Sequence, residues 1–314
     1  MSVSDVIVAA RPPWETAGQE PAQPSRMQEY VIEAPLALPI AYYRPPTVSV
    51  IIPALNEAEN LPHVLPRIPP WIHEVLLVDG HSTDDTVAVA RALRPDIRVI
   101  PQEGRGKGAA LRSGVAAATG EIVIMLDADG STDPAEIPAF VGALLAGADF
   151  VKGSRFLQGA GTSDMPMHRQ VANGMLVMLT NLLFRTRYTD ITYGYNALWN
   201  THRGALALEI DNWANEIISN IRVARSGLRV VEIACFEHQR IAGDAKLRAL
   251  SAGWQILTAI IGERFTPLRV ETVAQARLFG PEPAAESPDT AGEPIEAAEA
   301  IPVMLTRTLG EARR

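Results

Sequence analysis

Short apolar runs recur between Val48 and Leu126, each closed by turn-forming or acidic residues. Val48-Ser-Val-Ile-Ile52, Glu74-Val-Leu-Leu-Val-Asp79, Ile97 to Pro101 and Ile122 to Leu126 read as buried strands. Helical signals lie between them. One helix runs into Leu65; another follows Ser82-Thr-Asp-Asp85, which offers an N-cap and an acidic first turn, and continues through Leu93. Gly108 to Thr119 predicts a small-residue helix. Strands alternating with helices at this spacing mean βαβ units and an open, mostly parallel, twisted α/β sheet flanked by helices. Asp149 to Gly153 and Val230 to Ala234 add later strands whose order the pattern leaves open. Arg169 to Arg185 predicts a helix with Val171, Met175, Met178, Leu179 and Leu182 near one face and an arginine at each end. By periodicity alone it reads as an ordinary core helix.

The pattern lapses at both ends. The first 46 residues are Pro-rich and aperiodic, as expected of a mobile or surface-draped extension. From Gly280 to about Ala300 acids, Ala and Pro occur without a basic residue, which predicts a disordered tail. The organisation read from sequence is an extension over 1–46, one α/β domain over 47–268, and an acidic, largely disordered tail over 269–314.

Composition narrows the function classes. With 314 residues and 47% apolar content the chain can bury a sizeable core. A net charge of −8 argues against a nucleic-acid partner. The single cysteine, Cys235, excludes an intrachain disulfide and a multi-cysteine zinc site, and suits a reducing cytoplasm. The six histidines show no paired-ligand spacing. No apolar run reaches the roughly 18 residues a membrane span requires, and no signal peptide is evident. These features point to a cytoplasmic protein, with peripheral contact at the cytoplasmic membrane face left open.

Candidate chemistry gathers where the strands end. Ile122 to Leu126 leads into Asp127-Ala-Asp129-Gly, either an Asp-Gly turn or a carboxylate pair able to hold a divalent cation against a diphosphate. Both carboxylates share a face if the extended geometry persists past Leu126. Glu57, Asp79 and this pair follow the first, second and fourth strands, so parallel neighbours would bring them to one sheet edge. Glu103-Gly-Arg-Gly-Lys-Gly108 places two cations in a flexible loop before a helix, which suits a phosphate. It is not a Walker loop, since Gly follows Lys107, and no GxGxxG turn follows the first strand.

Pro53-x-x-Asn56-Glu57, Val-Asp79-Gly-His-Ser82-Thr83-Asp84-Asp-Thr86, Gly106-Lys-Gly-x-Ala-Leu-Arg112-x-Gly114 and Asp127-Ala-Asp129-Gly resemble the successive motifs of family 2 glycosyltransferases with the GT-A fold. Gly153-Ser-Arg155-Phe156 and Asp190-Ile-Thr-Tyr-Gly194-Tyr195 resemble the polyprenyl-phosphate (dolichyl-phosphate) mannosyltransferase branch. The resemblance covers about residues 48 to 265. It implies a donor-nucleotide set of Pro53, Asn56, Glu57, Asp79, Lys107 and Asp127, with the Asp79 carboxylate accepting from a base N–H. Gly80 stands where the family commonly has a second Asp. Asp129, with Asp127, would hold Mg²⁺ or Mn²⁺. The implied catalytic set is Asp127, Asp129, Glu216 and Arg240, with Glu216 as a general base, and the implied acceptor or phosphate contacts are Arg155, Arg240 and Lys246. The expected reaction moves a hexose from a GDP- or UDP-sugar to a polyprenyl phosphate. A soluble glycan, a secondary metabolite, a phosphoglycerate-type acceptor and a non-catalytic nucleotide-sugar-binding module are the alternatives.

Overall fold

The computed structural model describes residues 44–211, 214–243 and 249–267. Residues 1–43, the acidic tail and Lys246 lie outside the described residues.

The predicted alternation is present. In chain order the strands and helices are β1 (Val48–Ala54), α1 (Leu61–Val64), β2 (Glu74–Asp79), α2 (Thr86–Leu93), β3 (Arg98–Pro101), α3 (Lys107–Ala117), β4 (Ile122–Met125) and α4 (Ile137–Leu145). After them come β5 (Phe150–Ser154), β6 (Gly161–Thr162), α5 (Met167–Phe184), β7 (Asn196–Trp199), α6 (Ala214–Arg225), β8 (Val230–Ala234), β9 (Phe236–Glu237) and α7 (Ala249–Glu263). The main sheet has the order β3-β2-β1-β4-β7-β5-β8, and β6 pairs with β9 beside it. All pairings in the main sheet are parallel except those of β7, which runs against both β4 and β5.

Alternating side chains of the central strands point to opposite faces, and both faces are apolar. On one face Val50, Ile52, Val75, Leu77, Ile122 and Ile124 pack with Leu61 of α1, Ala90 of α2 and Phe140 of α4. On the other, Ile51, Leu76, Val78, Val123 and Met125 meet Ala110, Leu111 and Val115 of α3. Each fully buried Ile or Leu contributes about 1.5–3 kcal/mol. α3 lies tight on the sheet because it carries Gly114, where a Cβ would come within 2.4 Å of Ile51 Cγ2. A third cluster joins α6 to α5 and α7 through Ile217, Ile221 and Ile260.

The boundaries differ from expectation in ways that matter at the site. β1 extends through Pro53 and Ala54. β4 stops at Met125, and Ala128–Asp129 lie in a turn, so the extended geometry does not carry the two Asp side chains onto one strand face. α2 receives no acid in its first turn and no side-chain cap from Asp85. Asp84 takes the capping part instead, accepting from the Thr86 N–H at 3.0 Å and from the Ala58 N–H at 3.1 Å.

Candidate active site

β2, β1 and β4 are parallel neighbours, so their carboxyl ends open on one edge. A cavity of about 790 Å³ lies there, lined by Pro53, Glu57, Lys107, Asp127, Asp129 and Arg240, all six expected from sequence. Leu55, Gly80, His81 and Gln102 form its other wall.

Lys107 begins α3 at the end of the glycine-rich loop and reaches into a three-way ion pair. Its Nζ lies 2.6 Å from Asp127 Oδ1 and 2.7 Å from Glu216 Oε1. The two carboxylates come from β4's exit and the first turn of α6, 89 residues apart in numbering (216 − 127). Gly194 floors the arrangement: a Cβ there would sit 2.7 Å from Glu216 Oε1, 2.9 Å from Lys107 Nζ and 3.2 Å from Asp127 Oδ2. Burial, reinforced by Asp129 and Glu216, pushes the Asp127 carboxyl up to about 6 although Lys107 opposes the shift. Burial acts to neutralise Lys107, yet its two carboxylate partners hold the ammonium above its ordinary range.

Asp129 belongs to a second ion pair. Arg240 Nη2 lies 2.5 Å from Asp129 Oδ2, and Nη1 lies 3.5 Å from Glu57 Oε1. Arg240 is held there by the strap that follows β9. The His238 N–H donates to Ser131 O, the Ile241 N–H to Asp129 O, and Ala242 exchanges hydrogen bonds with the Asn60 side chain. Gly130, with φ +81°, lets this strap close down, since a Cβ there would come 2.4 Å from Ile241 Cδ1. Asn60 in turn donates to Glu57 Oε2 at 2.5 Å, which explains why Glu57 is buried beside an arginine.

The remaining expected residues are placed elsewhere. Asn56 does not line the cavity; in a left-handed conformation, φ +53°, it accepts from the Thr83 N–H and pins the two βα loops together. Asp79 stands at the end of β2 but turns to the Ser82 N–H, 3.2 Å away. Arg155, expected to contact phosphate, faces side chains of the fold. It is buried, with Nε and Nη2 on Asp190, Nη2 also on Thr192 and Nη1 on Glu237. Four of its five N–H donors are thereby taken by neighbours inside the fold. Glu216 touches the site through Lys107. Sequence reasoning overlooked Gln102, Asn60 and Asp211. Gln102 is the first residue after β3, at the same sheet edge as Asp79, which was an available signal. Asp211 is drawn over the glycine loop by Arg112, 2.8 Å away, and Gly106 and Gly108 leave room for that approach.

Asp127 and Asp129 offer the hard carboxylate oxygens that Mg²⁺ and Mn²⁺ take. Among the described residues no third His, Cys, Asp or Glu joins them. The rest of a coordination shell of about six would come from diphosphate and water. A cation taking Asp129 Oδ2 would have to displace the Arg240 guanidinium, which lies 2.5 Å from it. The donor set fits a substrate-bridged ion.

Away from the cavity, α5 turns Met167, Val171, Met175, Met178 and Leu182 outward at 57–76% exposure. Its expected apolar face is therefore surface and not core, apart from Leu179, which packs inward. α7, which contacts α5, exposes Trp254 and Ile261. No helix among the described residues is long and apolar enough to cross a membrane.

Comparison with known proteins agrees with this architecture. Residues 49–207 match the family Glycosyl transferase family 2. An uncharacterized glycosyltransferase of Mycobacterium tuberculosis is 36% identical over 206 residues, 64% of this chain and 89% of that protein. Polyprenol monophosphomannose synthase of Mycolicibacterium smegmatis is 32% identical, over 63% of this chain and 80% of its own length. Undecaprenyl-phosphate mannosyltransferase of Micrococcus luteus is 30% identical, over 68% and 99% respectively. Among solved structures, glucosyl-3-phosphoglycerate synthase from Mycobacterium tuberculosis, in complex with Mn²⁺, UDP and glucosyl-3-phosphoglycerate, superposes with TM-score 0.55. That match has 25% identity over 71% of this chain and 81% of the other. A GT-A sheet, a cavity at its carboxyl edge and a match to half of the sequence lead to one conclusion: the chain is a glycosyltransferase and belongs to glycosyl transferase family 2.

Proposed function

We propose that this enzyme transfers a hexose from a UDP- or GDP-sugar to a polyprenyl phosphate, at a site holding Mg²⁺ or Mn²⁺ and facing the cytoplasmic surface of a membrane. The observation that carries the acceptor assignment is the outward face of α5. Met167, Val171, Ala172, Gly174, Met175, Met178 and Leu182 are exposed on it with His168 as the one ionisable side chain exposed beside them, while Arg185 and Arg187 follow its end. An apolar face with basic residues at its end suits an anionic lipid interface, where the helix lies in the plane of the membrane. The named activities of two relatives, a polyprenol monophosphomannose synthase and an undecaprenyl-phosphate mannosyltransferase, support the same reading.

Asp129 and Asp127 would hold the metal, which neutralises charge building on the departing nucleoside diphosphate. The chain's own cations do related work: Lys107 and Arg240, already facing carboxylates in the cavity, are the groups able to receive diphosphate oxygens. Pro53 and Leu55 offer the apolar wall for a nucleoside. Gly194 lets the sugar lie close to Asp127 and Glu216. A phosphate acceptor is largely ionised near neutrality, its second pKa being about 6, and needs no strong base. Glu216, ion-paired to Lys107, orients that cation and is not required to abstract a proton from such an acceptor.

The solved structures of glucosyl-3-phosphoglycerate synthase favour a second reading, a phosphoglycerate-type acceptor. The deciding experiment incubates the full chain and Mn²⁺ with a panel of UDP-, GDP- and dTDP-sugars, adding polyprenyl phosphate in detergent or 3-phosphoglycerate. Lipid-linked product establishes the first reading, and product only with phosphoglycerate replaces it with the second. Folded protein with neither product nor nucleotide binding refutes both.

A further inference from the structure

The nucleoside end of the cavity contains an amide that no expected role accounts for. Gln102, only 8% exposed, lies at the end of β3 and lines the cavity together with Leu55 and Gly80. Its Nε2 donates to Gly104 O at 3.3 Å and to Gly106 O at 3.0 Å, so both amide hydrogens are engaged by the glycine loop. The orientation of the amide is therefore fixed, and Oε1 faces the other way. Among the described residues none donates to that oxygen.

The place it faces is Gly80. A Cβ built on Gly80 would lie 2.9 Å from Gln102 Oε1, 3.2 Å from Ala54 O and 3.4 Å from Leu55 Cβ. Any side chain at position 80 has to displace the Gln102 amide, and any amide at 102 in this pose requires glycine at 80. The two residues occupy one volume from opposite strand ends. Meanwhile Asp79 directs Oδ1 to the Ser82 N–H.

Resting on the nucleoside-diphosphate reading above, we propose that Gln102 Oε1 is a base-selecting acceptor, receiving a hydrogen bond from an N–H on the nucleobase edge. Because Nε2 is committed to the loop, this position accepts and cannot donate. It favours an edge that presents an N–H, as uracil and guanine do, and disfavours one that presents a lone pair, which would leave two buried acceptors facing each other. The same amide ties base recognition to the phosphate loop: Gly104 and Gly106, which it holds, lead directly into Lys107.

The test measures calorimetric binding of UDP and GDP to the full chain with Mn²⁺, alongside inorganic pyrophosphate and the nucleotide methylated at the base N–H (3-methyluridine or 1-methylguanosine diphosphate). The wild-type chain is expected to bind the preferred nucleotide roughly tenfold or more tightly than its methylated form. Gln102→Leu should lose a similar factor for the nucleotide and a clearly smaller one for pyrophosphate, the latter reporting release of the glycine loop. Gly80→Asp alone should weaken nucleotide binding by displacing the amide, and Gly80→Asp with Gln102→Ala should recover part of it. Nucleotide binding by Gln102→Leu equal to wild type overturns the proposal; equal losses for nucleotide and pyrophosphate also overturn it, leaving Gln102 as a loop anchor only. The methylated-base comparison uses the wild-type chain alone: equal binding of the methylated and unmethylated nucleotides overturns the proposal even if a variant fails to fold, and the assignment to Gln102 instead of Asp79 rests on Gln102→Leu abolishing the difference. Wild-type chain that binds pyrophosphate but no nucleotide refutes the donor reading itself, a result distinct from failure of Gln102.

Discussion

Replacing Lys107 by Met removes the cation from a three-way ion pair while keeping most of its apolar stem. Nζ lies 2.6 and 2.7 Å from its two carboxylate partners. At an effective dielectric of about 20, each contact has a gross attraction of about 6 kcal/mol, most of it cancelled by the hydration all three groups give up. Removing one partner of a buried pair typically costs about 3–5 kcal/mol. The side chains of Lys107, Asp127 and Glu216 are 16%, 25% and 11% exposed, so some screening by water remains. The expected loss is therefore about 2–4 kcal/mol at pH 7.5, a fall in Tm of roughly 5–12 °C for a domain of this size. With Lys107 gone, the Asp127 carboxyl rises further above about 6. A raised carboxyl pKa binds more protons in the folded state, so the variant loses stability as pH climbs through that value, and the deficit is smaller at pH 5 than at pH 8. Urea unfolding of Lys107→Met, Asp127→Asn and the double variant forms a cycle, with an expected coupling of about 1–3 kcal/mol. A Lys107→Met variant within about 0.5 kcal/mol of wild type at pH 7.5, with additive effects in the double variant, would refute the ion-pair account.

Three further outcomes are expected. Burial acts to raise Glu74, but hydrogen bonds from Ser49, Thr119 and Arg98 overcome it and hold the carboxyl down at about 2 instead of 4.5. Its contribution is complete above pH 4.5 and lost as pH falls toward 2, so Glu74→Gln should cost about 2–3 kcal/mol at pH 7 and converge with wild type in acid, read by chemical unfolding across pH. Arg155→Leu leaves the buried Asp190 and Glu237 carboxylates unpaired and should lower stability by about 3–5 kcal/mol, while nucleotide titration of the folded fraction stays near wild type. Glu216→Gln should reduce transfer to a phosphate acceptor only moderately and transfer to a hydroxyl acceptor severely; equal losses in the two initial-rate assays contradict the assignment of Glu216.

β1, β2 and β4 were readable because each is an apolar run buried on both faces, a local property; β3, expected to be buried as well, is an edge strand with a half-exposed surface. β7 was not readable. Asn196-Ala-Leu-Trp199 has neither length nor alternation, and what makes it a strand is pairing with Ile122–Met125, more than 70 positions away in numbering (196 − 125 = 71). α4 was overlooked for a related reason: Ile-Pro-Ala-Phe-Val-Gly-Ala-Leu-Leu has almost no polar face, so helical periodicity leaves no trace. Pro53, Glu57, Asp127 and Asp129 line the cavity because strand ends in a parallel sheet have a fixed destination. Arg155 shows the opposite case. A cation in a motif reads the same whether it faces a phosphate or carboxylates 35 and 82 positions away. Gln102 carried no charge to draw notice, and its significance depends on an empty volume at Gly80 that only three dimensions reveal.

β7 also divides the sheet. Running against β4 and β5, it separates a block of four parallel strands, β3-β2-β1-β4, from the parallel pair β5-β8. The reversed strand is a seam between two halves of the enzyme that can vary separately. The first block ends at the cavity, which Asp211 and Arg240 complete from later in the chain; the chain between β5 and β8 supplies the outward face of α5, the Gly194 floor and Glu216. A lineage changing what it glycosylates can rebuild the second half by insertion or helix exchange while the register of the first stays intact, provided one short strand keeps its orientation and its glycine approach.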